Sequence, residues 1–409
     1  MKEKKKQISG IQILALFLCL VMLPWAASCK KSEEKKKVAD FGTYGADIAL
    51  NLAKEYPYRS PYSDGEAGAG EMIKKELQKI GYEVKTQPFT SQSGKVSNNY
   101  IVRIEGEGFM QRDSFGEYSK VRKTVVIGAH YDAPVPYEQR YNYPDYDGIQ
   151  NNACGIGALL TVAKQMYGHK YGYDVIIVAF GAGTNSYMGA SKFLEEMSDE
   201  EKKKIECMYC IESVYAGDKL YAHAGLSSLK DGNKYSFRRK LYEAYDVAYE
   251  NSVYSQTGVD LNYNMSLLSF DVDNDGKTDI YREVTRVKSD YVPFDKESIP
   301  IVFFESSDYN FSKLEDMKET KNLALQTNSG AIRGTTLDSS KALSEALDEE
   351  RLKVRINVTA FIIEKAVAKG SQNCVTVSQY EAGETLAPTG QANRKLTTTP
   401  SASSEASET

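Results

Sequence analysis

Three segments with the pattern of buried strands, separated by amphipathic helical patterns, constrain the fold of this 409-residue chain more than any other feature. The strand-like segments are rich in β-branched and aromatic residues and read KTVVIGAHYD (123–132), YDVIIVAFGAG (173–183) and KIECMYCIES (204–213). Between them lie GIGALLTVAKQMYG (155–168) and YMGASKFLEEM (187–197), both with helical periodicity. Strands alternating with helices of this length predict an α/β fold, a three-layer sandwich around a mainly parallel, mixed central sheet.

His130, Gly183 and Glu212 fall at or just beyond the carboxyl ends of these predicted strands. In open α/β sheets, ligands bind outside the carboxyl ends of the parallel strands. We therefore expect these three positions to lie close together and to mark the functional site.

The two ends of the chain differ from its middle. Residues 1–28 have a lysine-rich start, an apolar stretch and small residues before a cysteine, which is the pattern of an export signal. The placement of Cys29 resembles a bacterial lipobox, which implies lipidation of Cys29 and anchoring at the outer face of the cytoplasmic membrane; a plain secretory signal or an uncleaved anchor is the alternative. We expect residues 29–40 to form a charged tether, 41–385 one domain and 386–409 a disordered tail rich in Ser and Thr.

The charge distribution excludes one class of partner. The formal net charge is −5 at pH 7, and lysines and acids are spread without a basic stripe. Nucleic-acid binding therefore has no electrostatic support. The 29 tyrosines, several in predicted loops, suit recognition of a peptide or protein ligand.

The segment 271–283 has the pattern of a calcium loop, with carboxylates at alternate positions and a glycine that permits a sharp turn. The predicted ligands are Asp271, Asp273, Asp275 and Asp279. Arg282 stands at the twelfth position, where an EF-hand has a bidentate glutamate, so we expect an isolated structural calcium site. A metal-free turn rich in Asp and Gly is the alternative.

Several motifs, in order along residues 45–365, resemble peptidase family M28, the zinc aminopeptidases. They are YPYRSPYSDGE, NNYIVRIEG, IGAHYDA, GIQNNACGIGALL, VAFGAGTNSYMGASKF and FFESSDYN. The resemblance implies a zinc-exopeptidase-like fold and a site in which two zinc ions share a bridging aspartate and a glutamate acts as base.

The family's site residues map only partly onto this chain. His130 matches the histidine of the first zinc and Asp132 the aspartate that orients it. Asn151 stands at the bridging aspartate, and a neutral amide is a poor zinc ligand. Gly183 stands at the position of the family's catalytic base, and Thr184 stands at the position of a ligand of the second zinc.

Glu212 matches the acidic ligand of the first zinc and keeps its chemistry. After Glu305 the chain has no histidine, so the last ligand position is held by Arg333 or Gly334, between which the sequence does not decide. The remnant zinc site would therefore consist of His130 and Glu212.

The other candidate ligands are interpreted as structural. Cys207 and Cys210 have redox or zinc spacing, but an offset of three in a strand puts the two thiols on opposite faces. His169 falls at a helix end and His223 in a strand, and we expect neither to replace a lost ligand.

Two functions follow from this partial match. The first is a non-hydrolytic homologue that keeps the cleft for binding, in which Arg333 supplies positive charge and pairs with Glu305 or with a ligand carboxylate. The second is a hydrolase with one zinc at His130 and Glu212 and a replacement acid from the insertion 143–147, in which Asp147 is nearest to Asn151. A solvated loop rich in Tyr and Asp is the alternative for this insertion.

Overall fold

The computed structural model describes residues 38–225, 235–271, 275–285, 287–311, 313 and 316–386. The predicted signal peptide, Cys29, most of the tether and the tail beyond residue 386 lie outside the described residues. Asp273 of the predicted calcium loop also lies outside them.

The predicted strands form the centre of an eight-stranded sheet with the order β1-β2-β6-β5-β7-β12-β8-β9. In the described part of the chain the strands are β1 (Lys85–Thr90), β2 (Val96–Ile104), β3 (Phe109–Arg112), β4 (Tyr118–Val121), β5 (Thr124–His130), β6 (Asp174–Phe180), β7 (Ile205–Ile211), β8 (Lys219–His223), β9 (Leu261–Tyr263), β10 (Leu267–Phe270), β11 (Asp279–Arg282), β12 (Ile301–Ser307) and β13 (Cys374–Thr376). Strands β6, β5, β7 and β12 are mutually parallel, as are β8 and β9, and the remaining pairs of this sheet are antiparallel. The predicted mixed, mainly parallel sheet is confirmed.

Helices cover both faces of the sheet. Within the described ranges they are α1 (Tyr44–Glu55), α2 (Asp64–Ile80), α3 (Cys154–Met166), α4 (Met188–Glu195), α5 (Asp199–Lys204), α6 (Tyr235–Glu250), α7 (Val253–Thr257), α8 (Tyr291–Lys296), α9 (Ser340–Ala346), α10 (Arg351–Ala368) and α11 (Val377–Glu381). None of these helices combines the length and apolar character needed to cross a membrane.

Successive side chains of the central strands point to opposite faces of the sheet, so each strand packs against helices on both sides and the fold has three layers. Val125 and Ile127 of β5 pack in the apolar cluster that holds α1, α3 and α10, whereas Val126 packs on the other face, in the cluster with α4 and α8. Cys207 lies in the first cluster and Cys210 in the second, both as free thiols. The prediction that these two cysteines face opposite sides of β7 is confirmed.

Helix α2 begins earlier than its apolar pattern indicates. Periodicity predicts a start near Ala69, but the helix begins at Asp64, where the Ser63 hydroxyl accepts the Glu66 N–H. Gly65 and Gly68 weaken the helical pattern before Ala69 because glycine has a low helix propensity. Gly70, inside the predicted helix, is required by packing: a Cβ there would lie 2.4 Å from the ring of Tyr100.

Candidate functional site

The parallel strands bring the predicted site residues to one end of the sheet. His130 is the last residue of β5, Glu212 follows β7 directly, and Glu305 lies in β12. His130 is paired with Phe180 across β5 and β6, so the loop that starts at Gly181 passes beside the histidine. The expected convergence of His130, Gly183 and Glu212 is therefore observed.

Asp132 orients His130. The ring Nδ1 lies 3.1 Å from the backbone carbonyl oxygen of Asp132 and 3.3 Å from its carboxylate. The carboxylate accepts the backbone N–H groups of Gly183 at 2.7 Å and Thr184 at 2.9 Å. The Thr184 hydroxyl donates to the same carboxylate. Thr184 therefore holds the orienting acid and does not face an open ligand position.

His130 and Glu212 form a buried pair. The histidine Nε2 lies 3.8 Å from Glu212 Oε2. Burial disfavours the charged ring, but contacts with Asp132 and Glu212 outweigh it and hold the pKa of His130 well above its usual value. Burial likewise opposes ionisation of Glu212, and its contacts with His130 and Arg333 lower its pKa.

Arg333 places a fixed cation among three buried carboxylates. Its Nη1 donates to Glu212 Oε1 at 3.3 Å, its Nη2 to Glu305 Oε2 at 2.6 Å and its Nε to Glu319 Oε1 at 3.1 Å. The guanidinium side chain is only 6% exposed. Despite the cost of burial, Arg333 lowers the pKa of Glu305 to about 2 and these acids raise the pKa of the arginine.

Gly334 has a different role. It adopts the left-handed conformation with φ +64°, and its N–H donates to Asp338 Oδ2 at 3.0 Å. The side chain that enters the site therefore comes from Arg333, which decides between the two positions that the sequence left open.

Glu319 is a site residue that sequence reasoning missed. Besides binding the guanidinium, its Oε2 accepts the backbone N–H groups of Ile332 at 2.6 Å and Arg333 at 2.9 Å. It therefore fixes both the backbone and the side chain of the arginine. No local pattern around Glu319 indicates this role, since its partners lie more than ten residues away.

Two aromatic residues complete the surroundings of Glu305. The Tyr309 hydroxyl donates to Glu305 Oε1 at 2.6 Å, and His223 Nε2 lies 3.0 Å from the same oxygen. His223 is buried on β8, facing Glu305 and not His130. His169 is an exposed residue beyond the end of α3.

The segment that would carry the bridging aspartate forms an irregular turn, Ile149–Ala153. Asn152 is structural: its amide group donates to the His130 and Ile211 carbonyls and accepts the Ser213 N–H. The Asn151 Oδ1 is buried and has no hydrogen-bond partner among the described residues.

No room exists for a side chain at the base position. A Cβ built on Gly183 would lie 2.3 Å from the Cβ of His130 and 3.1 Å from Oδ1 of Asp290. Real Cβ atoms do not approach other atoms this closely, so the loop has closed over the place that a base would occupy.

Asp290 is a second acid that sequence reasoning missed. It is fully buried, and neither carboxylate oxygen has a hydrogen-bond partner on another described residue. Burial, together with the nearby Glu212 and Asp132, raises its pKa to about 7, although His130 acts in the opposite direction. The only sequence signal was an acid directly before the aromatic run of α8.

Asp147 is engaged elsewhere. Its carboxylate accepts the N–H of Ile149 at 3.0 Å and the N–H and hydroxyl of Ser340. The expectation that Asp147 serves as a replacement acid beside His130 is therefore not supported by the contacts of this side chain.

Arg59, also missed, ties this end of the sheet together. It is fully buried and donates to the carbonyls of Tyr131 at 2.7 Å, Asp147 at 2.7 Å and Gly148 at 2.7 Å. These carbonyls belong to the chain on both sides of the site, so Arg59 holds the segment after β5 against the turn that carries Asn151.

Strands β10 and β11, on either side of the predicted calcium loop, pair antiparallel. Asp271 accepts the N–H groups of Asp275 at 3.1 Å and Gly276 at 2.9 Å, and the Lys277 ammonium lies 3.1 Å from Asp275. Only the backbone of Asp279 is described. The described contacts are those of a hydrogen-bonded turn, and calcium binding remains a prediction.

The residues present do not fit a zinc ion. Glu212, the acid of the remnant site, is bound by a guanidinium, and the bridging carboxylate is an amide. Among the described residues no group of three or more His, Cys, Asp or Glu side chains is arranged to hold a metal. Zinc requires three or four such ligands.

The fold and the placement of the site define the class of zinc-exopeptidase-like α/β proteins. The zinc aminopeptidase BSAP from Bacillus subtilis is 13% identical, with 81% of this chain and 96% of that one covered and a TM-score of 0.53. A Zn-dependent exopeptidase from Parabacteroides distasonis is 15% identical over 80% and 97% of the two chains, with a TM-score of 0.52. At these identities the likeness shows the fold alone.

The family follows from the sequence match. Residues 115–327, just over half of the chain, match Peptidase family M28, and this chain belongs to that family. It is also 22% identical over 342 residues to the alkaline phosphatase isozyme conversion protein of Escherichia coli (strain K12), covering 82% of this chain and 89% of that protein.

Replacing Arg333 with methionine should destabilise the protein strongly. We expect Arg333→Met to lower the free energy of unfolding by about 3–5 kcal/mol in urea denaturation, because three buried carboxylates lose their shared cation. Lys341→Met is the control, since it removes an exposed ion pair with Asp145 and should cost less than about 1 kcal/mol. Equal stability of the two variants would contradict this account.

A glutamate introduced at position 183, the family's base position, should not restore peptidase activity. We expect Gly183→Glu to show no peptidase activity and a lowered melting temperature, because its side chain collides with His130. Asn185→Glu adds the same side chain at an exposed position of the loop and should melt like the wild type. A stable Gly183→Glu protein that cleaves aminoacyl substrates would show that the site is open.

Proposed function

We propose that this M28 protein is a non-hydrolytic homologue, exported and lipid-anchored, that uses the peptidase cleft to bind peptides. The observation that carries the proposal is the contact between Arg333 and Glu212: the guanidinium donates a hydrogen bond to the carboxylate that a zinc ion would need as a ligand. The cleft therefore contains a permanent cation that cannot activate water.

Zinc-dependent hydrolysis requires three components that the residues of this site do not support. A zinc-bound water needs a metal to lower its pKa, a base to accept its proton and a second positive centre for the developing oxyanion. Asn151 carries no charge at the bridge, and Gly183 has no side chain at the base. Loss of a general base alone typically costs about a hundredfold to ten-thousandfold in rate.

Buried hydrogen-bond acceptors support a binding role. Asn151 Oδ1 and both oxygens of Asp290 are buried without partners on other described residues. Buried polar atoms are normally satisfied, so these acceptors favour a ligand that donates hydrogen bonds. The surrounding carboxylates outnumber the cations, which favours a ligand with an ammonium group, such as a peptide amino terminus.

The competing function is a hydrolase that uses a single zinc ion, and it requires different side-chain contacts from those of the non-hydrolytic protein. It requires His130 and Glu212 as ligands and an acid beside them, whereas Glu212 binds Arg333 and Asp147 binds Ser340. The contacts of these side chains favour the non-hydrolytic function.

Peptide binding without cleavage is the direct test. We expect saturable binding of labelled tripeptides with free amino termini in fluorescence anisotropy, with no cleavage when zinc, cobalt or manganese is added. Asn151→Ala should weaken binding about tenfold because a buried acceptor is lost, whereas Asn185→Ala, on the exposed loop, should not. Metal-dependent cleavage would establish the hydrolase, and absence of binding would refute the binding role.

Lipid anchoring is tested at Cys29. We expect the wild-type protein to incorporate an alkyne-labelled palmitate and to sediment with membranes in a bacterial host. Cys29→Ala should lose both properties, whereas the neighbouring Ser28→Ala should keep them. Membrane sedimentation of Cys29→Ala without label would instead indicate an uncleaved anchor.

A further inference from the structure

A cavity of about 580 Å³ lies apart from the M28 site, at the β9 edge of the central sheet. Its walls come from the start of β8, the end of α7, β9 and the first turn of α10. None of the residues of the M28 site, including His130, Glu212 and Arg333, lines it. Its volume is in the range of small-molecule sites.

Two arginines one helical turn apart in α10 line this cavity. Arg351 donates to the carbonyls of Tyr215 at 3.2 Å and Gly217 at 2.6 Å, and Arg355 donates to the carbonyl of Asp218 at 2.9 Å. Both side chains therefore bind the loop 215–218, and their acceptors are uncharged backbone oxygens.

Among the described residues neither guanidinium has a carboxylate within the 4.0 Å of an ion pair, and the carboxylates of Asp218 and Asp348 act on Arg351 only from farther away. The closest candidate, Asp218, directs its carboxylate to the Thr320 hydroxyl at 2.6 Å and the Lys321 N–H at 2.8 Å. Nη1 of Arg355 is buried without a hydrogen-bond partner in the described part of the chain.

A buried guanidinium without an ion pair is costly, and Arg355 is only 5% exposed. Burial and the neighbouring Arg351 lower the pKa of Arg355 to about 9, although Asp218 acts in the opposite direction. A bound anion would supply the negative charge that both guanidinium groups lack at ion-pair distance.

We propose that this cavity binds a small molecule through an oxyanion, a carboxylate or a phosphate, held by Arg351 and Arg355. A guanidinium matches either group with paired N–H donors. The other charged lining residues are Asp218, Lys219, Asp260, Asp348 and Glu350. All of them are exposed except Asp218, which is half-buried and whose carboxylate accepts from Thr320 and Lys321. The pocket therefore has a cationic floor and an acidic mouth, which suits a ligand that carries an ammonium group as well, such as a free amino acid.

Calorimetric titration of the full-length chain at constant ionic strength tests the site with three probes: alanine, alaninamide and inorganic phosphate. We expect saturable binding of alanine and at least about tenfold weaker binding of alaninamide, which lacks the carboxylate. Saturable phosphate binding with no alanine binding would support the same site and identify a phosphoryl ligand. Binding of none of the probes would overturn the proposal.

Variants of α10 locate the binding. Arg355→Met should weaken binding of the responsive probe at least about tenfold, whereas Lys353→Met, on the same helix but outside the lining, should leave it unchanged. Binding that is insensitive to Arg355→Met would place the ligand elsewhere, including the M28 cleft, and would refute this site. Arg351→Gln provides the same comparison if Arg355→Met does not fold.

Discussion

The buried contact between Arg333 and three glutamates is the interaction on which the functional end of this structure depends. Taking charges out of water is expensive, and one cation shared by Glu212, Glu305 and Glu319 offsets that cost only because each carboxylate receives its own N–H donor. The same positive charge makes a zinc ion at Glu212 unfavourable, since two cations would compete for one carboxylate. Arg333 thus determines both the stability of the site and the chemistry open to it.

The contacts of the neighbouring loops are consistent with a site that is packed around the Arg333 side chain. Glu319 fixes the backbone at Arg333 as well as its side chain, and the loop at Gly183 packs directly on His130. These contacts involve the positions where the resemblance to the family places a zinc ligand and the base. The central sheet beneath them keeps the family architecture, because the packing of strands and helices does not depend on which groups stand at their ends.

The sequence predicted the sheet and the convergence of His130, Gly183 and Glu212, since periodicity and strand ends are local properties. It could not predict Glu319, Asp290 or Arg59, whose roles arise from partners distant in the chain. The same limit explains Asp147: its nearness to Asn151 in sequence suggested the site, but its carboxylate is bound by Ser340, almost two hundred residues away. The choice between Arg333 and Gly334 likewise required the three-dimensional structure.

We propose that the Arg333 guanidinium occupies the position of the family's metal, and anomalous diffraction at the zinc edge tests this placement. Crystals of the protein grown or soaked with zinc should show no anomalous peak between His130 and Glu212, and the Arg333 side chain should have full density in contact with Glu212. An anomalous peak at about 2.1 Å from His130 Nε2, with Arg333 displaced from Glu212, would contradict the account.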